Sequence, residues 1–248
     1  MSKNDWELMQ GYTRVSKFYD ETRFVGVVES FMISALLDLL NVRPGMRVLD
    51  VAAGTGRTAI PLAGTGATVM ALDLTSAMLA QMRIKASSLN LDNLSIQQAN
   101  ARFLPFPDHT FDVVLSFRFF HLFSPEDQQA LLDELHRVVK PGGRVFVEYN
   151  NAGALWVGGI LHNLVRLFKN HKPLNRQRGG ELQAIYKHVQ ITRLQGFSWP
   201  FMGTIARLSP RLARSLLALS MKAGLRKFAR YVWVESTKSV PDEGAIST

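Results

Sequence analysis

The sequence predicts an α/β fold built on a doubly wound, mostly parallel seven-stranded sheet, and three observations carry that expectation. Apolar runs and helical stretches alternate five times between Met46 and Tyr149, the pattern of parallel strands joined by crossover helices. The first apolar run, Met46–Val51, ends in a glycine-rich turn at Gly54-Thr55-Gly56, and a helix opens at Arg57. Phe111–Ser116 is a near-continuous apolar run, as suits a strand buried on both faces.

Taken in order, residues 4–40 read as helical, with apolar positions at Phe24, Val27, Val28, Phe31, Leu36, Leu37 and Leu40. Arg43-Pro44-Gly45 is a turn. Strand 1 is Met46–Val51 and strand 2 is Ala67–Leu72. A helix spans Ser76–Leu89, capped by Thr75 or Ser76. Leu94–Gln98 is a short strand 3 and Phe111–Ser116 is strand 4. Ser124-Pro125-Glu126-Asp127 supplies a cap, a proline in the first turn and acids at the positive helix end. That helix stops at Lys140-Pro141-Gly142-Gly143, before strand 5 at Arg144–Tyr149. Beyond Asn150 the spacing predicts a helix over Leu155–Phe168, a basic loop, strand 6 at Val189–Leu194, a helix from Ser209 to Phe228 and a last strand at Ala229–Val234. Nothing in the composition marks a linker, so a single domain is expected over 1–248. Its core spans about 42–150, and 151–238 decorates the substrate side and completes the sheet.

The chain has 248 residues and no cysteine. Disulfides, thiolate metal sites and cysteine nucleophiles are excluded. Residues 1–7 carry no apolar run, so no secretory leader is expected, and no apolar stretch reaches the ~18 residues that span a bilayer. A cytoplasmic protein is expected. The net charge of +9 is uneven: residues 1–150 carry a net −2 and residues 151–248 a net +11. A basic half is either a solvated surface or one that faces an anionic membrane, an acidic substrate or a nucleic acid. The predicted 209–228 helix sets Arg211, Arg214, Lys222 and Arg226 on one arc. Trp199, Phe201 and Trp233 lie nearby in sequence. Peripheral docking on an anionic bilayer therefore stands beside the plain reading of a helix that covers the sheet.

The turn after strand 1 carries the chemistry. Its glycines let backbone N–H groups meet a ligand, and Ala52 in the same turn implies a negative φ there. Asp50, just before the turn, would repel a diphosphate and attract a ligand that carries an ammonium group. S-adenosylmethionine (SAM) has an amino group and a sulfonium on an adenosine body. NAD is the competing cofactor, because Gly54-Thr55-Gly56-Arg57-Thr58-Ala59 fits Gly-x-Gly-x-x-Gly/Ala and Asp73 follows at a suitable distance. Asp73 ends strand 2, where a carboxylate accepts from both ribose hydroxyls; its competing reading is a helix cap.

Four segments in order resemble the class I SAM-dependent methyltransferases, of the small-molecule, type 11-like kind. They are Val48–Gly56, Ala71–Leu79, Asn100–Arg102 with Leu104-Pro105-Phe106 and Phe111–Val114, and Leu135–Gly143. The resemblance implies a Rossmann-like methyltransferase fold and SAM as cofactor. It implies cofactor contacts at Asp50, Ala52, Gly54, Gly56, Asp73, Leu74, Met78, Asn100, Ala101 and Ser116. Asn100 stands where the family usually has Asp, and Ala52 where it usually has Gly. The resemblance also gives the N-terminal segment, with Tyr12 and Tyr19-Asp20, the place of a lid.

Methyl transfer from a sulfonium needs alignment more than a catalytic group, and a base only for a protonated, high-pKa nucleophile. His121, after strand 4, and Tyr19 are the candidate catalytic residues; packing or capping is the alternative for His121, and anchoring for Tyr19. Phe117, Phe119, Phe120 and Phe123 form an aromatic cluster that lines an apolar pocket or belongs to the core. The six histidines show no paired ligand spacing, so no metal is expected. The expected reaction is methylation of a small, hydrophobic or lipid-like acceptor. An RNA methyltransferase and a non-catalytic SAM-binding protein are the alternatives.

Overall fold

Seven strands form one sheet among the described residues, in the order β3-β2-β1-β4-β5-β7-β6. They are β1 (Arg47–Val51), β2 (Thr68–Asp73), β3 (Leu94–Gln98), β4 (Phe111–Ser116), β5 (Val139–Asn150), β6 (Gln190–Phe197) and β7 (Tyr231–Thr237). This computed structural model describes residues 3–22, 27–151, 190–197, 202–222, 229 and 231–240. The first five strands pair in parallel. β7 runs antiparallel to both β5 and β6. Strand order reverses between β1 and β4, and in an open α/β sheet a ligand crevice forms at that point, beyond the strands' carboxyl ends.

The period of two along each strand splits the core into two layers. Val48, Val69, Ala71, Val113, Leu115 and Phe146 face one side, against Val28, Met32, Leu36 and Leu40 of α3 (Val27–Leu40). The four-residue spacing of those α3 side chains puts them on one helix face. Each is buried and contributes about 1.5–3 kcal/mol. Leu49, Val51, Val114, Val145 and Val147 face the other side. There they meet Leu131, Leu132, Leu135 and Val138 of α6 (Pro125–Val138). Ser124 caps α6 by accepting the Asp127 N–H, with Pro125 in the first turn, as the sequence predicts.

Several boundaries differ from expectation. The N-terminal helical stretch is interrupted by a 3₁₀ turn at Ser16–Phe18, which separates α1 (Lys3–Val15) from α2 (Tyr19–Thr22); α3 is described from Val27. Residues 140–143 do not separate α6 from β5. They bulge out of a strand that already starts at Val139, where Phe111 pairs with Val139 and Val113 with Arg144. Short helices α4 (Ala59–Ala63) and α5 (Ser76–Ser87) connect the first strands. Near the C-terminus α7 (Met202–Leu208) and α8 (Pro210–Ser220) meet at a corner. α8 therefore stops at Ser220, eight residues before the expected end. The last strand lies two to three residues later than expected. The predicted helix at 155–168 and the basic loop after it lie outside the described residues, as do Trp199, Phe201 and Arg226. No helix among the described residues is long and apolar enough to cross a membrane.

Candidate active site

One row of the sheet builds the floor of the site. Asp50 of β1 pairs with Ala71 of β2 and Leu115 of β4, and Leu115 with Phe146 of β5. Two residues further along each strand stand Ala52, Asp73, Phe117 and Glu148, and all four line a single cavity. The hollow holds about 1100 Å³ counted out into its open mouth. Leu8, Met9, Tyr12 and Tyr19 of the N-terminal segment form part of its wall.

The glycine turn forms one side. Ala52 has φ +61°, so the expected negative φ is wrong: the turn needs the left-handed conformation there, and the chain adopts it with alanine. Gly54, at φ +57°, donates its N–H to Asp73 Oδ2 at 2.9 Å. A Cβ built there would meet nothing within 4 Å, so the turn presents bare backbone to open space. Gly56 has a different duty. At φ +83°, a Cβ on it would lie 2.6 Å from Met82 Cγ, so its bareness lets α5 pack close. Gly56 does not line the cavity.

The two acids near the turn separate in the same way. Asp50 is 1% exposed and does not line the cavity. It accepts a short hydrogen bond from Thr58 Oγ1 and the backbone N–H of Ala59, tying the end of β1 to the start of α4. Burial pushes its pKa up to about 7, against the Thr58 bond and with help from the nearby Asp73 charge. Asp73 does line the cavity. Its Oδ1 accepts the Thr75 N–H at 2.7 Å and its Oδ2 the Gly54 N–H. Burial raises its pKa, and these backbone donors hold it back.

Leu74, Met78, Asn100 and Ala101 continue the wall beyond Asp73. Asn100 Oδ1 accepts the Arg102 N–H at 3.0 Å, and its Nδ2 reaches Asp5 Oδ2 at 3.5 Å. Ser116 is fully buried and donates to the Val51 carbonyl at 2.9 Å, bracing β4 against β1 outside the cavity. His121 is 8% exposed on a 3₁₀ turn (Phe120–Leu122), and it too stays outside the cavity wall. Phe120 is core, whereas Phe117, Phe119 and Phe123 line the hollow. Tyr12 and Tyr19 pack edge to face at 6.0 Å inside it.

Several residues at the site escaped the sequence reading. Asp5 of α1 is 4% exposed and pairs with Arg102 at 3.4 Å. Asp20 accepts from Thr55 Oγ1 at 2.7 Å, Arg57 Nε at 2.9 Å and Lys85 Nζ at 2.9 Å, which clamps the N-terminal segment to the glycine turn and α5. Only the Tyr19-Asp20 pair gave a sequence signal for this clamp. Arg118, in the left-handed region at φ +58°, lines the cavity with Glu148. Glu148 accepts from the Trp233 indole at 2.9 Å.

Comparison with known proteins decides the family. A family model described as a methyltransferase domain matches residues 48–143. Demethylmenaquinone methyltransferase of Bacillus cytotoxicus is 41% identical over 173 residues, covering 68% of this chain and 70% of that protein. The chain belongs to the class I SAM-dependent methyltransferases. An uncharacterized protein of Mycobacterium tuberculosis is 46% identical over 112 residues, 45% of this chain; the match spans only 40% of that relative's length. Magnesium protoporphyrin IX methyltransferase from Synechocystis PCC 6803, solved with bound S-adenosylhomocysteine (SAH), shares the fold at TM-score 0.68 and 15% identity, over 96% of this chain and all of that one.

The residues of this methyltransferase suit an adenosyl cofactor. Each Asp73 oxygen takes one backbone N–H and keeps further acceptor capacity for ribose hydroxyls. The Gly54 N–H is already given to that carboxylate. A diphosphate at the turn would thus meet a negative charge in place of a donor, which counts against a dinucleotide. Leu74 and Met78 offer apolar faces to a flat base.

Proposed function

We propose that this chain transfers the methyl group of SAM to a small hydrophobic acceptor of the quinone class. The observation that carries the reading is the aromatic wall of the cavity. Phe117, Phe119, Leu122 and Phe123 line it after β4, with Arg118 and Glu148 beside them, and Asp73 at the end of β2 and Asn100 after β3 line it too. The similarity to demethylmenaquinone methyltransferase supports a quinone-like ring on that wall.

SAM, when bound, would supply a methyl group activated by the sulfonium for in-line displacement by the reduced, hydroquinone form of the acceptor, with SAH as the leaving group and the acceptor's displaced proton passing to bulk water. The chain's own work is placement. Asp73 would hold the ribose, and Leu74 and Met78 the adenine. The aromatic wall would stack the acceptor ring edge-on or offset, and α1 with Tyr12 and Tyr19 would keep water out. Alignment of this kind lowers a barrier by roughly 7–11 kcal/mol. His121 and Ser116 have no part in this account, because neither reaches the cavity.

The test has two arms. Titration calorimetry with SAM and SAH measures cofactor binding. Incubation with SAM and a short-chain demethylmenaquinol, kept reduced with dithionite so that its ring is electron-rich, followed by mass spectrometry, measures transfer of one methyl with release of SAH and a proton. Binding with quinone methylation supports the proposal. Absence of SAM binding defeats it outright, and SAM binding without quinone turnover defeats the acceptor assignment.

A further inference from the structure

We propose that the α7–α8 corner is a docking surface for an anionic lipid bilayer. Ser209-Pro210 turns the chain between the two helices, and Ser209 caps α8. Around that turn Arg207, Leu208, Arg211, Leu212 and Arg214 are all exposed. Leu208 is 82% exposed and Leu212 is 52% exposed, the former the most exposed large apolar side chain of the described residues.

α8 is amphipathic about a charged face. Ala213, Leu217 and Ser220 are buried against the body of the protein. Arg211, Arg214, Ser215 and Ala218 of α8 are all exposed, as is Lys222 just past its end. Leu212, in the first turn of α8, is exposed beside the charged residues Arg211 and Arg214 in sequence. No Asp or Glu occurs between Glu181 and Glu235, so no acid within this stretch neutralises the cations.

Charge complementarity selects the occupant. An anionic headgroup layer attracts basic residues held near its surface. Exposed leucines beside the cations gain only from a surface with an apolar interior below it. A polyanion such as RNA would use the arginines and leave the leucines wet. The corner also connects to the site. Met202, at the start of α7, packs in the same core cluster as Met32, which lines the cavity. The seven residues of α7 span about 10 Å. Docking here would bring a membrane-dissolved acceptor close to the cavity wall, although the inference does not require a particular acceptor.

Vesicle flotation tests it on the full chain. Phosphatidylcholine vesicles with and without phosphatidylglycerol are compared at low and high salt. The expected result is phosphatidylglycerol-dependent binding that weakens with salt. Replacing Arg207, Arg211 and Arg214 by Gln lowers partitioning by about a hundred-fold. The pair Leu208→Ser and Leu212→Ser lowers it by about ten-fold with every charge intact. Unchanged circular dichroism and SAM titrations show that the variants are folded, and Arg211→Lys retains binding. Three outcomes overturn the proposal: no vesicle binding, equal binding to both vesicle types, or binding indifferent to the leucine pair. Arginine-dependent binding of a single-stranded RNA, with vesicles ignored, overturns it in favour of a nucleic-acid surface. Because the readout is partitioning, failure of the methylation assay leaves this test intact.

Discussion

Replacing Asp73 and Asp50 separately by Asn tests which carboxylate the cofactor meets. Asp73→Asn keeps the side-chain volume but converts one of two acceptors into a donor. One of the N–H groups of Thr75 and Gly54, now bonded at 2.7 and 2.9 Å, would then face an amide NH₂. Two ribose hydroxyls would lose a charged acceptor. Hydrogen bonds to a charged group contribute roughly 1.5–3 kcal/mol each. The pair therefore accounts for about 3–6 kcal/mol, or about 10²- to 10⁴-fold in Kd. Asp50→Asn alters a carboxyl that is 1% exposed and bonded to Thr58, which itself lines the cavity. No ligand contact is lost, and affinity should fall by less than about ten-fold. Titration calorimetry of both variants with SAM and with SAH gives the two numbers. Equal losses, or the larger loss in Asp50→Asn, would refute the assignment. A preference for SAM over SAH that collapses only in Asp50→Asn would return sulfonium recognition to the buried acid.

Three further outcomes follow from the same geometry. Ala52→Gly relieves a left-handed alanine at φ +61°; the gain of about 1–2 kcal/mol is partly offset by glycine's looser unfolded chain, leaving about 0.5 kcal/mol, and a lower melting temperature would contradict it. Asp50, with a folded pKa of about 7 against 3.8 unfolded, binds its proton more tightly when folded. Stability should therefore fall as pH rises between those values, by on the order of 4 kcal/mol for this group. Denaturant melts at several pH values should show that slope flattened in Asp50→Asn. Asp20 is the opposite case: burial alone would raise its pKa, but bonds from Lys85, Thr55 and Arg57 more than offset it and lower the value. Its contribution is present above the ordinary carboxylate pKa and lost as pH falls through the lowered one. Because the side chain is 43% exposed, Asp20→Asn should cost only about 1 kcal/mol. Hydrogen exchange should show it as faster opening of residues 3–22 with the sheet unchanged.

The parallel half of the fold was legible because its physics is local. Strands buried on both faces must be apolar runs, Gly45 and Gly54 mark the ends of β1, and Ser124-Pro125 marks the start of α6. The direction of β7 was not legible. Whether a last strand enters parallel or antiparallel depends on the path of the chain before it, and no spacing within Tyr231–Thr237 records that. The 3₁₀ interruption between α1 and α2 was hidden for a related reason. The two segments are placed by contacts with α5 and the glycine turn, and helical propensity is similar on either side of the interruption.

Legibility within the site follows sequence distance and strand depth. Asp73, Leu74 and Met78 sit in one continuous motif and Gly54 in another, so local pattern was enough to find each. The clamps that close the site join residues far apart: Thr55 to Asp20 across 35 positions, Lys85 to Asp20 across 65, Arg102 to Asp5 across 97. No single window of the chain holds both ends of such a pair. Depth explains the remaining error. Sequence reasoning gave Asp50 and Asp73 equal access to the ligand because both end strands before turns. The register sets Asp50 level with Ala71, and Asp73 stands two residues further out, about 6.5 Å at ~3.3 Å per residue. That step separates a carboxylate inside the sheet, stapling β1 to α4, from one on the rim where a ligand can reach it. The same step leaves Ser116 beneath the cavity and lifts Phe117 and Glu148 into its wall. In a parallel sheet, then, the acid to weigh first is the one whose register reaches the rim row, whichever strand's motif is the more familiar.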